Sequence, residues 1–322
     1  MITQPEKKTF ENKSIVVLGA SGFIGRWIAK TLSQYDIKLT LLVRDPQSFD
    51  EIARRWHLKG EIVAFDALEP GKLAKLLGQY SPDIVINCIG YGIDRSEKDE
   101  NLAAQLNGIF PKRLAEILGE RSSTTPTRLI HLGSALEYGQ QDGDLLESCV
   151  AKPTSLYGRT KLLGTEAVRV AVSQGLDATV ARLFTIYGPG EHCGRLLPTL
   201  RQAKEAGQSV DLSDGGQLRD FALVKNVAQA VVALAALPEL KYDVLNLASG
   251  ALVSVREFIL TAANILQLSS DHLNFGVVPR YADEMQHRPV STERCRKLLG
   301  DSLSTDLERG LTAALRFEES GE

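Results

Sequence analysis

The sequence predicts an α/β fold: a Rossmann-type doubly wound parallel sheet with a smaller, discontinuous C-terminal lobe. Three observations predict it. Short, continuously apolar runs alternate with helix-like segments up to Phe184. A glycine-rich turn joins the first run to the first helix. Beyond Phe184 the alternation loosens. Strands that are apolar on both faces must be covered on both faces, as in a parallel sheet sandwiched by helices. Strand, crossover and strand in that order wind the sheet in both directions.

The first strand is expected at Ser14–Leu18 and the first helix at Phe23–Gln34. Leu39–Val43 and Glu61–Phe65 are the next strands, separated by a helix over Gln47–His57. A helix over about Gly71–Gln79 leads to a fourth strand at Asp83–Asn87. One long helix then spans about Asp99–Arg121, before a fifth strand at Arg128–Leu132. Leu156–Ser173 reads as a helix and Ala178–Phe184 as the sixth strand. Tyr187-Gly188-Pro189-Gly190 and Ser213-Asp214-Gly215-Gly216 are loop signals. Helices follow at about Gly194–Ala206, Lys225–Ala236, Val255–Leu266 and Ser291–Leu299, and Val244–Leu247 returns to the sheet. The first domain therefore takes residues 1–184 plus about 225–248, and the lobe takes about 185–224 plus 249–322.

Composition narrows the function. Of 322 residues, 43% are hydrophobic and 24% charged, an ordinary globular balance. The net charge of −3 provides no basic excess for a phosphate backbone, so nucleic acid is not expected as a partner. No run of 18 apolar residues exists to span a membrane. Met1–Lys13 is polar and lacks the apolar stretch of a secretory signal. Cys88, Cys149, Cys193 and Cys295 form no C-x-x-C pair, which points to free thiols in a reducing, cytoplasmic setting. The five histidines are scattered without metal-ligand spacing, so no metal is expected.

Gly19-Ala20-Ser21-Gly22-Phe23-Ile24-Gly25 lies between the first strand and the first helix. The first glycine turns the chain, the second lets backbone approach a pyrophosphate, and the third lets helix pack against strand. The helix N-terminus adds free N–H groups and a positive dipole end. Gly19, Ser21, Gly22, Phe23, Ile24 and Gly25 are therefore candidate dinucleotide contacts. Arg44 ends the second strand, where it can pair with the 2′-phosphate of NADP(H), while the neighbouring Asp45 leaves NAD open. Asp66, after the third strand, is either an acceptor for the adenine amino group or a cap.

Tyr157 and Lys161 stand four residues apart on one helix face. A free tyrosine has a pKa of about 10, too high for acid/base work near neutral pH. A nearby ammonium is expected to lower it. Ser134, after the fifth strand, is either a hydrogen-bond partner for the reacting oxygen or a turn residue.

These pieces resemble the extended short-chain dehydrogenase/reductase family, the NAD(P)-dependent epimerase/dehydratase group that acts on nucleotide sugars. The resemblance rests on the glycine loop, on Ser134 with Tyr138-Gly139, and on Pro153-Thr154-Ser155-x-Tyr157-Gly158-x-x-Lys161. Arg182-x-Phe184-x-x-Tyr187-Gly188-Pro189-Gly190, Arg219-Asp220-Phe221 with Val224 and Val227, and Asn246-Leu247-Ala248-Ser249-Gly250 continue it in order. The resemblance implies Ser134, Tyr157 and Lys161 as the catalytic set. It implies further cofactor contacts at Ala67, Asn107 and Phe184. It also implies a nucleotide-diphosphate sugar lined by Gly90, Glu137, Tyr187, Arg195, Leu196 and Arg219. A homodimer through the helices near 99–121 and 156–173 is a further implication.

The family's dehydratases carry acidic residues directly after the catalytic hydroxyl, where this chain has Ala135 and Leu136, so 4,6-dehydration is disfavoured. Gly133–Gly139 and Gly190-Glu191-x-x-Gly194-Arg195-Leu196-Leu197-Pro198 resemble the 4-keto-6-deoxyhexose reductases. The expected activity is NADPH-dependent reduction of a nucleotide-linked 4-keto-6-deoxy sugar. The alternatives are a sugar epimerase that retains NAD, a reductase of a non-sugar ketone, and a non-catalytic NADP-binding regulator. The chain departs from the family pattern at Thr185 (usually asparagine), Asn226 (usually acidic) and Cys88-Ile89-Gly90 (usually an alanine pair).

Overall fold

The computed structural model describes residues 5–94, 96–121, 124–280, 285–301, 303 and 306–320. The first half runs β1 (Ser14–Leu18), α1 (Phe23–Leu32), β2 (Lys38–Val43), α2 (Pro46–Arg55), β3 (Glu61–Ala64), α3 (Lys72–Tyr80) and β4 (Ile84–Asn87). It continues through α4 (Glu100–Ala104), a π-helical turn (Gln105–Ile109), α5 (Phe110–Arg121), β5 (Arg128–Ser134), α6 (Leu156–Ser173) and β6 (Ala178–Leu183). The second half carries β7 (Thr185–Tyr187), α7 (Leu196–Ala206), β8 (Val210–Leu212), β9 (Leu218–Leu223), α8 (Val224–Ala235) and β10 (Val244–Leu247). β11 (Leu252–Ser254), α9 (Val255–Leu266), β12 (Leu273–Phe275), α10 (Glu293–Leu299) and α11 (Leu307–Ser320) follow.

Seven parallel strands form the main sheet in the order β10-β6-β5-β4-β1-β2-β3. Alternate residues of each strand serve opposite cores. Val17, Leu41, Ile86 and Ile130 pack with α1, α2 and α8, whereas Val16, Leu42, Val85 and Leu129 pack with α3, α5 and α6. β1 lies between β2 and β4, so the chain reverses its direction of winding there. The crevice beyond the carboxyl ends of β1 and β4 is where ligands bind in such sheets.

Two expectations change. The single helix over 99–121 is interrupted by the π-helical turn, which places Asn107 at its centre. The lobe tract 249–322 is divided. β11-β9-β7, the pair β12-β8, and α7, α9 and α11 enclose the lobe core of Leu200, Phe258 and Leu311. α10 instead brings Cys295 into the core of the main sheet. Phe317 of α11 packs against Trp27 and Trp56 at 4.8 and 5.5 Å, tying the lobe to the first domain. The three-residue strands β7, β8, β11 and β12 are too short to leave a periodic trace in the sequence.

Candidate active site

The glycine loop has the backbone form that a pyrophosphate needs. Gly19 adopts φ +77°, and a Cβ on Gly25 would lie 2.2 Å from the Gly19 carbonyl oxygen. Gly22 begins α1 with no side chain capping the helix, leaving its first N–H groups directed at the crevice. Ser21 is exposed, and Phe23 and Ile24 are partly buried at the same turn. Residues and backbone therefore fit a dinucleotide. Two residues that drew no attention in the sequence brace the opposite side. Arg26 Nη2 donates to the Gly190 carbonyl at 2.7 Å, and Trp27 Nε1 donates to that of Pro189 at 2.8 Å. The Tyr187–Gly190 loop is thus fastened to α1.

At the end of β2 the two charged residues have different tasks. Asp45 caps α2, accepting from Gln47 N at 3.0 Å and Ser48 N at 3.2 Å. The Ser48 hydrogen bonds hold its carboxyl below the usual range. Arg44 is exposed. Asp66 accepts from Leu68 N at 2.9 Å beside the partly buried Ala67, so one carboxylate oxygen closes a turn.

The catalytic candidates converge beyond β5. Ser134 ends that strand, 7% exposed, and its hydroxyl accepts from Leu136 N at 3.2 Å. Tyr157 and Lys161 lie in the first turns of α6, whose N-cap Ser155 accepts from Gly158 N. Lys161 is buried, and its Nζ donates to the Leu132 carbonyl at 2.5 Å. Burial lowers its pKa to about 8, against a smaller opposing pull from Glu137. Tyr157 differs from expectation. Burial raises its hydroxyl pKa, Glu137 and Glu97 add to the rise, and Arg195 opposes it. The phenol is held protonated, the form that donates. Cys88, next to Lys161, has its thiol pushed up to about 12 by burial and is no thiolate nucleophile.

Several expected ligand residues have structural tasks. Glu137 is fully buried. Its Oε1 accepts from Ser134 N at 2.7 Å, and its Oε2 accepts from Arg182 Nε at 2.9 Å. Through these bonds it supports Ser134 from behind. Asn107, expected at the cofactor, is also fully buried. It accepts from Tyr91 N at 2.9 Å and donates to Tyr91 O at 2.7 Å and Thr160 Oγ1 at 3.0 Å. It fixes the Gly90–Gly92 loop against α6, where Gly90 is exposed and Gly92 lies against the Tyr157 ring. Tyr187, 4% exposed, packs in the lobe core against Phe258 at 5.2 Å.

The remaining candidates lie on β9 and on the segments that follow β6. Phe184 follows Leu183, the β6 partner of Ser134, and packs against Tyr138 and His287 at 6.4 and 6.0 Å. Arg195 precedes α7, 3.6 Å from Glu191, and Leu196 begins that helix. Arg219 of β9 donates to the Met285 carbonyl at 3.2 Å. Behind it Asp220 is fully buried and accepts from Ser249 N and Gly250 N at 2.8 and 2.7 Å. That pair of bonds joins the Arg219-Asp220-Phe221 segment to the Asn246–Gly250 segment. Thr185 pairs with Phe221 at the start of β7, and His192 lies 3.4 Å from Asp94. Among the described residues no cluster of histidine, cysteine or acidic groups is arranged for a metal.

The sequence model of the NAD dependent epimerase/dehydratase family matches residues 15–248. The chain belongs to that family. It is therefore an enzyme of the extended short-chain dehydrogenase/reductase class, and the family depends on a nicotinamide dinucleotide. It is 33% identical over 259 residues to dTDP-6-deoxy-L-talose 4-dehydrogenase (NAD(P)(+)) of Kitasatospora kifunensis, covering 76% of each chain. It is 25% identical to dTDP-L-rhamnose 4-epimerase of Burkholderia thailandensis, covering 94% of this chain and 93% of that one. The fold matches UDP-glucuronic acid 4-epimerase from Bacillus cereus, solved with UDP-glucuronic acid and NAD. The TM-score is 0.81 at 23% identity, over 95% of this chain and 99% of that one. Its relatives within the family modify nucleotide sugars.

Proposed function

We propose that this enzyme reduces the ketone of a nucleotide-linked 4-keto-6-deoxy sugar with NADPH. The observation that carries the reading is at the end of β2, where Arg44 is exposed while Asp45 is committed to capping α2. An acidic residue free to accept the ribose hydroxyls favours NAD, and a cation there favours the 2′-phosphate. A cofactor that arrives reduced and leaves oxidised suits net reduction. Similarity to a 4-dehydrogenase supports the same carbon, since its reverse reaction is a 4-keto reduction.

The glycine loop from Gly19 to Gly25 would hold the pyrophosphate, Arg44 the 2′-phosphate, and Asp66 and Ala67 the adenine side. Phe184 would flank the nicotinamide. When bound, NADPH supplies the hydride. Tyr157, held protonated by burial, donates its hydroxyl proton to the substrate oxygen. Ser134, held by Glu137 and its own turn, orients that oxygen. Lys161, fixed on the Leu132 carbonyl, places a positive charge beside the tyrosinate that remains. Arg195, Leu196, Arg219 and Gly90 line the substrate side. Each turnover consumes one proton from solvent, which an internal-redox epimerase does not.

We further propose a homodimer through α5 and α6. Their outer face exposes Leu163 and Val170 at 59% and 55%, beside a cavity of about 590 Å³ lined by Ala115, Ala167 and Ala171. Light scattering after size exclusion tests this, and a monomer at micromolar concentration contradicts it. A cytoplasmic setting suits the four free cysteines.

The second reading is an NAD-retaining 4-epimerase, favoured by the similarity to dTDP-L-rhamnose 4-epimerase over almost the whole chain. Cofactor content of the purified protein separates the two. NADPH oxidation by a panel of nucleotide 4-keto-6-deoxy sugars supports reduction. Tightly held NAD without consumption of added NADPH supports epimerisation.

A further inference from the structure

The turn that holds Ser134 also backs the helix of the catalytic pair. Ala135–Glu137 closes as a single 3₁₀ turn, with Ser134 and Glu137 capping one another. Its Leu136 carbonyl lies so close to α6 that a Cβ on Gly158, the residue after Tyr157, would run into it. Lys161, one helical turn on from Tyr157, reaches back to the Leu132 carbonyl, two residues before Ser134. The turn therefore meets α6 between its two reacting residues. Glu137, the acid of that turn, is fully buried. Its Oε2 is paired with Arg182 Nε at 2.9 Å, and that guanidinium lies over the Tyr138 ring, 4.5 Å from the centroid.

The electrostatics follow that placement. Cys88 after β4, His131 of β5 and Glu137 of the turn all act electrostatically with Lys161. The first two are neutral. Burial pushes the Cys88 thiol up to about 12, and burial, reinforced by Lys161, holds the His131 imidazole uncharged. Burial works against the Lys161 ammonium, and Glu137 brings the negative charge that opposes this. At Tyr157 burial again comes first in favouring the phenol. Glu137 comes next and favours it too, ahead of Arg195 before α7 and Glu97 before α4. Charges buried in this way are screened far less by salt than exposed ones. One carboxylate thus favours the ammonium and disfavours the phenolate, and both effects put a proton where a donor needs it.

We propose that Glu137 is a positioning residue whose buried charge keeps Lys161 an ammonium and Tyr157 a phenol, loading the pair to donate a proton. The assignment rests on the catalytic reading of Ser134, Tyr157 and Lys161 above. The test titrates Lys161 itself. In protein labelled with ¹³C-lysine, the Lys161 ε-carbon resonance, identified with Lys161→Arg, is followed against pH beside the pH profile of NADPH oxidation. In the wild type both turn near pH 8. Glu137→Gln keeps an oxygen for Ser134 N and removes the charge. It moves both midpoints down by about one pH unit and leaves kcat at about pH 6 within about threefold. Glu137→Gln combined with Arg182→Gln leaves no buried guanidinium without its counter-charge, and moves both midpoints down by about half a unit. That double variant decides the matter if the single one does not fold. A Lys161 midpoint that stays in place or rises overturns the assignment, and a kcat lowered equally at every pH beside it marks a bracing role alone. A wild type that oxidises no NADPH overturns the reductase reading instead, and the Lys161 titration still decides the role of Glu137.

Discussion

The wall behind Ser134 and the mouth in front of it are built on opposite principles. In the wall Glu137 joins Ser134 N to Arg182, the Arg182 guanidinium lies 4.5 Å from the Tyr138 ring centroid, and the Tyr138 hydroxyl donates to Asn246 at 2.7 Å. These polar residues are buried and bonded to one another, with Arg182 Nη1 alone of the named groups left without a partner among the described residues, and the catalytic hydroxyl rests on that frame. At the mouth, Arg44 is exposed and Arg195 is half-exposed. The difference teaches where chemistry and selectivity reside. Reacting groups rest on buried residues bonded to one another, and the residue that would choose the cofactor, Arg44, stays exposed.

The comparison can be broken at either side. Tyr157→Phe removes the proton donor and lowers kcat between about a hundredfold and ten-thousandfold without changing the unfolding midpoint. Retention of full activity would sink the catalytic assignment. Glu137→Ala strands Arg182 as an uncompensated buried charge, and urea unfolding should read a loss of about 3–5 kcal/mol. A loss under about 1 kcal/mol contradicts the rigid wall. Arg44→Ala acts only at the mouth. It should raise KM for NADPH about tenfold to a hundredfold, as expected for one charge-assisted contact, with KM for NADH and the stability unchanged. Smallest is the pH effect. Burial brings the Lys161 pKa down to about 8, so its charge is complete below that value and is lost as pH rises through it. The reduction rate should therefore fall above about pH 8, and a rate flat to pH 10 contradicts a role for the ammonium.

Legibility in the sequence follows the same division. The inner strands of the first half were readable because they are apolar on both faces, and the glycine loop because only glycine suits Gly25 at 2.2 Å from a carbonyl. The catalytic trio was readable from spacing and order. Glu137 was not, because a carboxylate one residue from Tyr138 looks the same whether it faces solvent or a buried arginine. Tyr157 was misread in its titration, since burial outweighs neighbouring charge and burial is a property of the packed fold. Asn107 lies in a π-helical turn that no helical period reveals.

The central claim is net reduction by NADPH, and absorbance at 340 nm tests it most directly. Purified enzyme mixed with NADPH and a nucleotide-linked 4-keto-6-deoxyhexose should consume one NADPH per sugar, with the 4-hydroxy product formed in equal amount. A protein that carries bound NAD through purification, leaves added NADPH untouched and interconverts 4-epimers would contradict the account.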